Sequence, residues 1–484
     1  MTKPKPQIVI LGAGPAGLGA AFQLARHKKA RVTVLEQRDR VGGNAGSFEV
    51  EGLYLDYGSH RLHPACNPAI LQDLQQLLGN DLLLRPRHGR IRLKNRWIHF
   101  PLKPLDLLMK LPLRFALGVL TDASLKILPP SKEKSDRDET FASLLEGQLG
   151  KTICRDFYFP YARKIWGIAP EEISDVQARR RIAANSLGKM FKKVFSKLLG
   201  NSSPSTGREG NRPYFYYPRR GYGQISEALS RAAIREGAEI ILTARVQEVY
   251  REGDRVKAVT YKDPLTRHTL QADYVWSTLP LNILIQSLQP RPEEEVILAA
   301  KKIRFRAMIL IYLVLEQDRF SEFDAHYFPE PEIPITRISE PKNYNNAVEP
   351  VGLTALCAEL PCETSQEVWG MKDEDLGRMV LEALSTAKIP VTAPIRQVFT
   401  RRIQHAYPIY QKGFERYFQL LDHYLEGIGG LLTFGRQGLF AHDNTHHALY
   451  MAYSAVDCLN EQGDFDQEKW RRYRNIFETH VVED

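Results

Sequence analysis

Apolar and polar positions fall into a readable order from the first strand onward. Gln7-Ile-Val-Ile-Leu11 is a short, nearly unbroken apolar run, as in a strand buried on both faces of a parallel sheet. Leu18, Ala21, Phe22 and Ala25 then recur at helical spacing, and Arg31-Val-Thr-Val-Leu35 reads as a second strand. Met1 to Leu24 superficially resembles a signal peptide, but four glycines and Pro15 interrupt it, so it is read as strand and turn of the mature fold. Further on, Tyr54–Tyr57 is a short strand, and residues 90–100 alternate around a hairpin turn at Lys94-Asn95. Residues 104–128 are Leu-rich but broken by charge, which leaves a buried helical pair or a membrane-surface patch open. A charged loop at 129–139, helices over 140–198 and a loop at 200–211 follow. Helical period returns at 222–236. Strands are expected at 238–242 and 245–249, a meander at 255–261 and 268–275, a strand over 303–316 and a strand over 431–436 that ends in Gly435-Arg436. No internal repeat is present.

The turn after the first strand adds chemistry. Gly12, Gly14 and Gly17 form GxGxxG between strand and helix. In that context Gly12 permits the tight turn, Gly14 lets backbone approach a pyrophosphate, and Gly17 lets helix and strand pack closely. The helix start offers N–H groups to phosphate oxygens. Glu36 closes the second strand, where a carboxylate accepts from an adenosine ribose and favours a 2′-hydroxyl over a 2′-phosphate. Gly42 and Gly43 allow a second close approach beyond that strand, which an extended FAD requires. Packing alone is the alternative role for such glycines.

Composition excludes more than it selects. The chain has 484 residues, 43% hydrophobic and 25% charged, ordinary globular usage that suggests about three domains. Lys and Arg number 66 against 57 Asp and Glu, a formal charge of +9 that suits nucleic acid, an anionic membrane or a phosphate-bearing small molecule. No nucleic-acid motif appears. Five cysteines lack any CxxC frame, which argues against a structural zinc site or disulfide scaffold and fits a reducing, cytoplasmic setting. No apolar stretch is long enough to span a bilayer.

The run GAGPAGL, then Glu36, then VGGNA resembles the FAD-binding half of the amine oxidase, protoporphyrinogen oxidase and UDP-galactopyranose mutase superfamily. Asn44-Ala45 after the glycine pair resembles the mutase branch. Gly58-Ser-His60-Arg-Leu-His63 is similar to the segment beside the flavin there, with a polar turn as the alternative for His60 and His63. The resemblance places backbone near Val246 against the adenine. Tyr161-Ala-Arg-Lys-Ile-Trp166-Gly resembles a mutase signature, implying that Trp166 faces the base. It also implies that Arg180 or Arg181 grips a diphosphate, against the alternative of a solvated basic face. Arg337 and Tyr407 resemble residues that meet the substrate diphosphate, an ordinary buried Tyr being the alternative for Tyr407. Gly435-Arg436 resembles the return to pyrophosphate and flavin. The chain departs from the mutases at His442 and Asn444, where they carry Tyr and Asp. Asn keeps a hydrogen bond but no charge, and His differs from Tyr in reach and acidity.

The expected architecture is α/β: a Rossmann-like FAD-binding domain interleaved with a helical domain and an antiparallel β-sheet substrate domain. The expected partition gives FAD segments at 1–70, 214–282 and 425–484, the last with a C-terminal helix. A substrate-domain hairpin region occupies 71–102, the helical domain 103–213 and the antiparallel substrate domain 283–424. The leading expectation is a mutase-like flavoenzyme acting on a nucleotide-diphosphate sugar, with NAD(P)H as a candidate reductant. The resemblance implies reduced-flavin N5 as nucleophile toward the anomeric carbon, with Arg337, Tyr407, His442 and Asn444 around the reacting centre. The alternatives are a net FAD-dependent oxidoreductase of the protoporphyrinogen oxidase, desaturase or amine oxidase kind, and a flavin-bound protein in peripheral membrane contact. No metal is expected. The sugar, the base and the oligomeric state stay open.

Overall fold

The computed structural model describes residues 4–100, 110–125, 139–181 and 213–482. The loop expected at 200–211, residues 182–198 expected as helix, most of the expected 129–139 loop, residues 104–109 and 126–128, and the Arg181 side chain lie outside the described residues.

The first strand, β1 (Gln7–Leu11), pairs in parallel with β2 (Arg31–Leu35) and with Tyr274–Ser277. Leu431–Thr433 and Glu239–Ile241 complete a five-stranded parallel sheet, in the order Leu431–Thr433, Tyr274–Ser277, β1, β2, Glu239–Ile241. The apolar runs are buried because helices cover both faces, as a parallel sheet demands. The helix α1 (Pro15–Arg26) packs against Thr445–Asp457 and Gln224–Arg235. A Cβ on Gly19 would lie 3.0 Å from Leu449, so a glycine there sets the close approach of α1 to Thr445–Asp457. Segments from both ends and the middle of the chain therefore build one sheet.

A four-stranded sheet of Arg267–Gln271, Arg255–Lys262, Arg245–Glu252 and Leu288–Gln289 contains the expected meander. The third main sheet has seven strands, in the order Ile395–Ile409, Arg304–Leu315, Thr354–Cys362, Arg337–Ser339, Ala325–Tyr327, Gly89–Leu93, Arg96–Phe100. It is antiparallel except where Ala325–Tyr327 runs parallel to Gly89–Leu93, so the 90–100 hairpin is part of this sheet. The hairpin turns at Lys94 and Asn95, with φ of 52° and 60°, the backbone form that matches strand twist in a two-residue turn. Cross-strand register places Tyr327, Arg337, Glu359 and Leu310 in one row on one sheet face. That row becomes a wall of the site.

Helices Phe141–Leu149, Phe159–Trp166 and Asp175–Arg181 lie in the expected helical region, and Leu113–Leu125 forms one helix of the Leu-rich segment. Three elements carried no clear sequence signal: the helix Pro68–Leu78, and the strand Leu82–Pro86 that pairs with Tyr214–Pro218. Among the described residues, no helix is long and apolar enough to cross a membrane.

Candidate active site

One cavity of about 600 Å³ runs from the C-terminal edge of the parallel sheet to the seven-stranded sheet. Ligands gather at that strand edge in open α/β sheets because loops and helix starts converge there. Gly12 has φ +100°, and a Cβ on it would sit 2.5 Å from Thr278 Oγ1. Gly17 is packed harder: its Cβ would meet the Gly12 carbonyl oxygen at 2.0 Å. Gly14 differs from both, since a Cβ there would meet no atom within 4 Å. The open space in front of Gly14 is the cavity itself. No side chain caps α1, so its first N–H groups stay available to an anion.

Glu36 lines the cavity and is 6% exposed. Its Oε2 accepts from the Ala13 N–H and its Oε1 from the Arg38 N–H, both at 2.9 Å. Those bonds fix its orientation and leave lone pairs for a ribose hydroxyl. Gly43 reaches back to the first turn, where its Cβ would come 3.3 Å from Gly14 Cα. Gly42, at φ +112°, permits that turn and does not itself line the cavity. Asn44 lines it and donates to the His405 carbonyl at 3.0 Å. Gly435 and Arg436 close the same end. The strand stops at Thr433, so Gly435-Arg436 opens a short helical turn instead of ending the strand. An uncapped helix start, a ribose-competent carboxylate and a glycine cradle opening onto empty space fit FAD.

The far wall is the sheet row described above. Arg337 donates through Nε and Nη2 to Glu359, at 3.1 Å and 2.7 Å to Oε1, with Nη2 2.9 Å from Oε2. Glu359 also accepts from the Ser59 N–H at 2.9 Å. Arg337 is thus held by a buried carboxylate partner that carries no motif. One signal for Glu359 was available: it is the lone charge in the apolar strand TALCAELPC. Arg61, inside the GSHRLH segment, donates to Tyr327 and Tyr344 hydroxyls and lies 3.4 Å from Asp324. Tyr407 and His442 stack at 5.1 Å and 9°, and the Arg436 guanidinium sits 5.1 Å from the Tyr407 ring centre. Arg436 donates to the Ala406 and Asp443 carbonyls at 2.9 Å and 3.2 Å. Asn444 lines the cavity beside Asp443 and precedes the helix Thr445–Asp457.

Several expected site residues stand elsewhere. Trp166 is 3% exposed and packs edge-on to Phe141 and His442, away from the cavity lining. Tyr161 and Ile165, one helical turn apart, form the wall instead, and Trp166 is one residue further round the helix. Arg180 lies behind Asp443, its Nη1 3.9 Å from Oδ1, and does not line the cavity. Val246 packs in an apolar cluster outside the lining. The preceding Ala244 N–H donates to the Glu36 carbonyl at 2.7 Å, which places that strand near the ribose end. His63 accepts from the Ala65 N–H at 3.1 Å and stacks on His446, so it behaves as a turn residue away from the cavity lining.

His60 lines the cavity, pairs with the Tyr57 carbonyl at 3.1 Å and stacks on Tyr222. Burial pushes its imidazole down to about 4. Above pH 6.5 it is neutral in folded and unfolded chains alike. Between 6.5 and 4 the unfolded chain takes up a proton that the folded chain refuses, so unfolding free energy falls as pH drops. The contribution is on the order of 3 kcal/mol across that window. His60→Gln flattens this part of a pH series of urea-unfolding curves. An unchanged slope would show that His60 protonates freely in the fold.

Residues 15–421 match the family described as flavin containing amine oxidoreductase. The fold and cofactor cradle therefore define a flavoenzyme of the Rossmann type. The chain belongs to the flavin-containing amine oxidoreductase family, and FAD is its cofactor. It is similar to polyamine oxidase 5 of Oryza sativa subsp. japonica, 38% identical over 74 residues, covering 15% of each chain. It is 25% identical over 301 residues to chloroplastic protoporphyrinogen oxidase of Nicotiana tabacum, covering 58% of this chain and 52% of that protein. These matches span from about a sixth to half of the relatives' own length. Its fold is similar to that of reduced UDP-galactopyranose mutase, with a TM-score of 0.80 at 20% identity, covering 99% of this chain and all of the other.

Proposed function

We propose that this enzyme oxidises an anionic small molecule at FAD, in the part of the cavity bounded by Arg61, Arg337, Tyr407 and Arg436. The observation that carries this is the charge of the lining: six arginines (Arg38, Arg61, Arg87, Arg337, Arg402, Arg436) against three carboxylates (Glu36, Glu359, Asp443). Such a surface opposes a polycation of the kind that a polyamine oxidase is named for, and suits carboxylate or phosphate oxygens. Bound FAD supplies a two-electron acceptor. The chain's own groups supply the rest. Arg337, held by Glu359, presents a fixed guanidinium edge with little orientational freedom left to lose. Tyr161, Ile165 and Leu310 give apolar walls that exclude water. His442, 2% exposed and stacked on Tyr407, is the group placed to move a proton between substrate and surroundings.

A second reading is the nucleotide-diphosphate sugar, in a redox-neutral isomerisation. The observation in its favour is that Arg337, Tyr407 and Arg436 share one cavity with the FAD cradle. Against it stand Trp166, outside the lining, and His442 and Asn444 at positions where the mutases carry Tyr and Asp. Turnover separates the two. Oxidation consumes oxygen or reduces an added acceptor mole for mole with product. Isomerisation of a nucleotide sugar with no acceptor consumed would overturn the first reading. Tyr161→Ala is expected to raise KM at least tenfold in either case, and Trp166→Phe less than threefold, by steady-state kinetics.

A further inference from the structure

A cluster runs back from the cavity wall, where Asp443 is one of the lining carboxylates, to His447 and His480, which do not line the cavity. Asp443 is 1% exposed. Its Oδ2 accepts from His480 Nδ1 at 3.0 Å. Its Oδ1 has no hydrogen-bond partner: His447 Nδ1 stands 4.0 Å away and Arg180 Nη1 3.9 Å away. The His447 and His480 rings stack at 4.2 Å and 13°. A buried carboxylate oxygen that accepts no hydrogen bond keeps a lone pair open to a ligand, although Arg180 and His480 balance its charge from nearby. Arg180 approaches without closing a hydrogen bond, held over the Tyr410 ring at 5.8 Å.

One donor atom from each of Asp443, His447 and His480 lies within 4.8 Å of the others. In a tetrahedral zinc site with bonds near 2.0–2.1 Å, ligand atoms are about 3.3 Å apart. To reach that, the ligand atoms must close by up to about 1.5 Å, and the stacked His447 and His480 rings must turn out of their parallel arrangement so that their in-plane lone pairs converge. Two imidazoles and one carboxylate are a donor set that zinc and its neighbours favour over calcium or magnesium. We propose that Asp443, His447 and His480 bind one divalent transition-metal ion with zinc's ligand preference. The three come from the cavity wall, the first turn of Thr445–Asp457 and the segment after Gln467–Glu478. A shared ion staples that last segment to the wall, alongside the Val482 N–H that donates to the Arg180 carbonyl at 2.7 Å.

The test titrates Zn²⁺ calorimetrically into the chelator-dialysed, FAD-loaded chain. One site per chain is expected. His480→Gln and His447→Gln should each weaken it at least tenfold, and Asp443→Asn at least as much. Arg180→Gln should tighten it, because the competing cation is gone. Retained flavin absorbance in His480→Gln shows that the fold survives, and Zn²⁺ should raise the melting temperature of wild type but not of that variant. Zn²⁺ binding no tighter in wild type than in the His447→Gln/His480→Gln double variant would overturn the proposal. So would binding indifferent to Asp443→Asn, either outcome leaving the cluster as a hydrogen-bonded ion pair only.

Discussion

Gly14→Glu gives a folded but colourless protein. Nothing in the chain lies within 4 Å of a Cβ at that position, and the residue has an ordinary φ of −77°, so the substitution strains no packing. The new carboxylate instead fills the space before the α1 N-terminus and brings negative charge to where a diphosphate must sit. FAD affinity should fall more than 100-fold, about 2.7 kcal/mol. Far-ultraviolet circular dichroism and flavin absorbance read the two halves of this expectation. Gly17→Val is the counterpart: its Cβ would overlap the Gly12 carbonyl at 2.0 Å, and it should fail to fold. Flavin retained by Gly14→Glu would mean that the cradle is not where the cofactor binds.

The second large effect concerns the pair in the far wall. Arg337→Met leaves Glu359 buried at 3% exposure with its charge uncompensated, which should cost about 3–5 kcal/mol in urea unfolding. Removing both charges, in Arg337→Met with Glu359→Met, should recover most of that loss, because the desolvation of both ions is no longer incurred. Activity should not return with stability, since the guanidinium edge is gone. A double variant that regains turnover would show that Arg337 serves only to neutralise Glu359.

The nucleotide-binding half was legible because its signals are local. Residues 7–36 combine an apolar run, a glycine turn, a helical period and a terminal acid within thirty residues, and each matches the structure. The wall was legible only in part. Arg337 stood in a recognisable segment, but its partner Glu359 is set by strand register, which nothing near residue 337 announces. Trp166 illustrates a different limit. One residue's shift around a helix decides whether a side chain meets the cavity or the core, and that depends on Phe141 from another helix. Asp443 lies between two singled-out residues, yet its partner His480 is 37 positions away, so the cluster exists only in three dimensions. At Gly435, where the strand gives way to a helical turn, φ is +79° and a Cβ would lie 2.8 Å from Ala16 Cβ of α1, a glycine position that the strand pattern alone does not announce.

The charge of the chain gains meaning from this placement. A surplus of +9 spread over a surface says little, whereas six arginines around one cavity select among ligands. The flavin's own visible spectrum reports on anything that binds beside it. Titrating the FAD-loaded enzyme with an aromatic dicarboxylate, a nucleoside diphosphate and a linear diamine decides which charge the cavity beside the flavin accepts. Saturable spectral shifts are expected with one or both anions, weakened at least tenfold in Arg436→Gln, and none with the diamine. Perturbation by the diamine alone, unaffected by Arg436→Gln, would contradict an anion-accepting cavity.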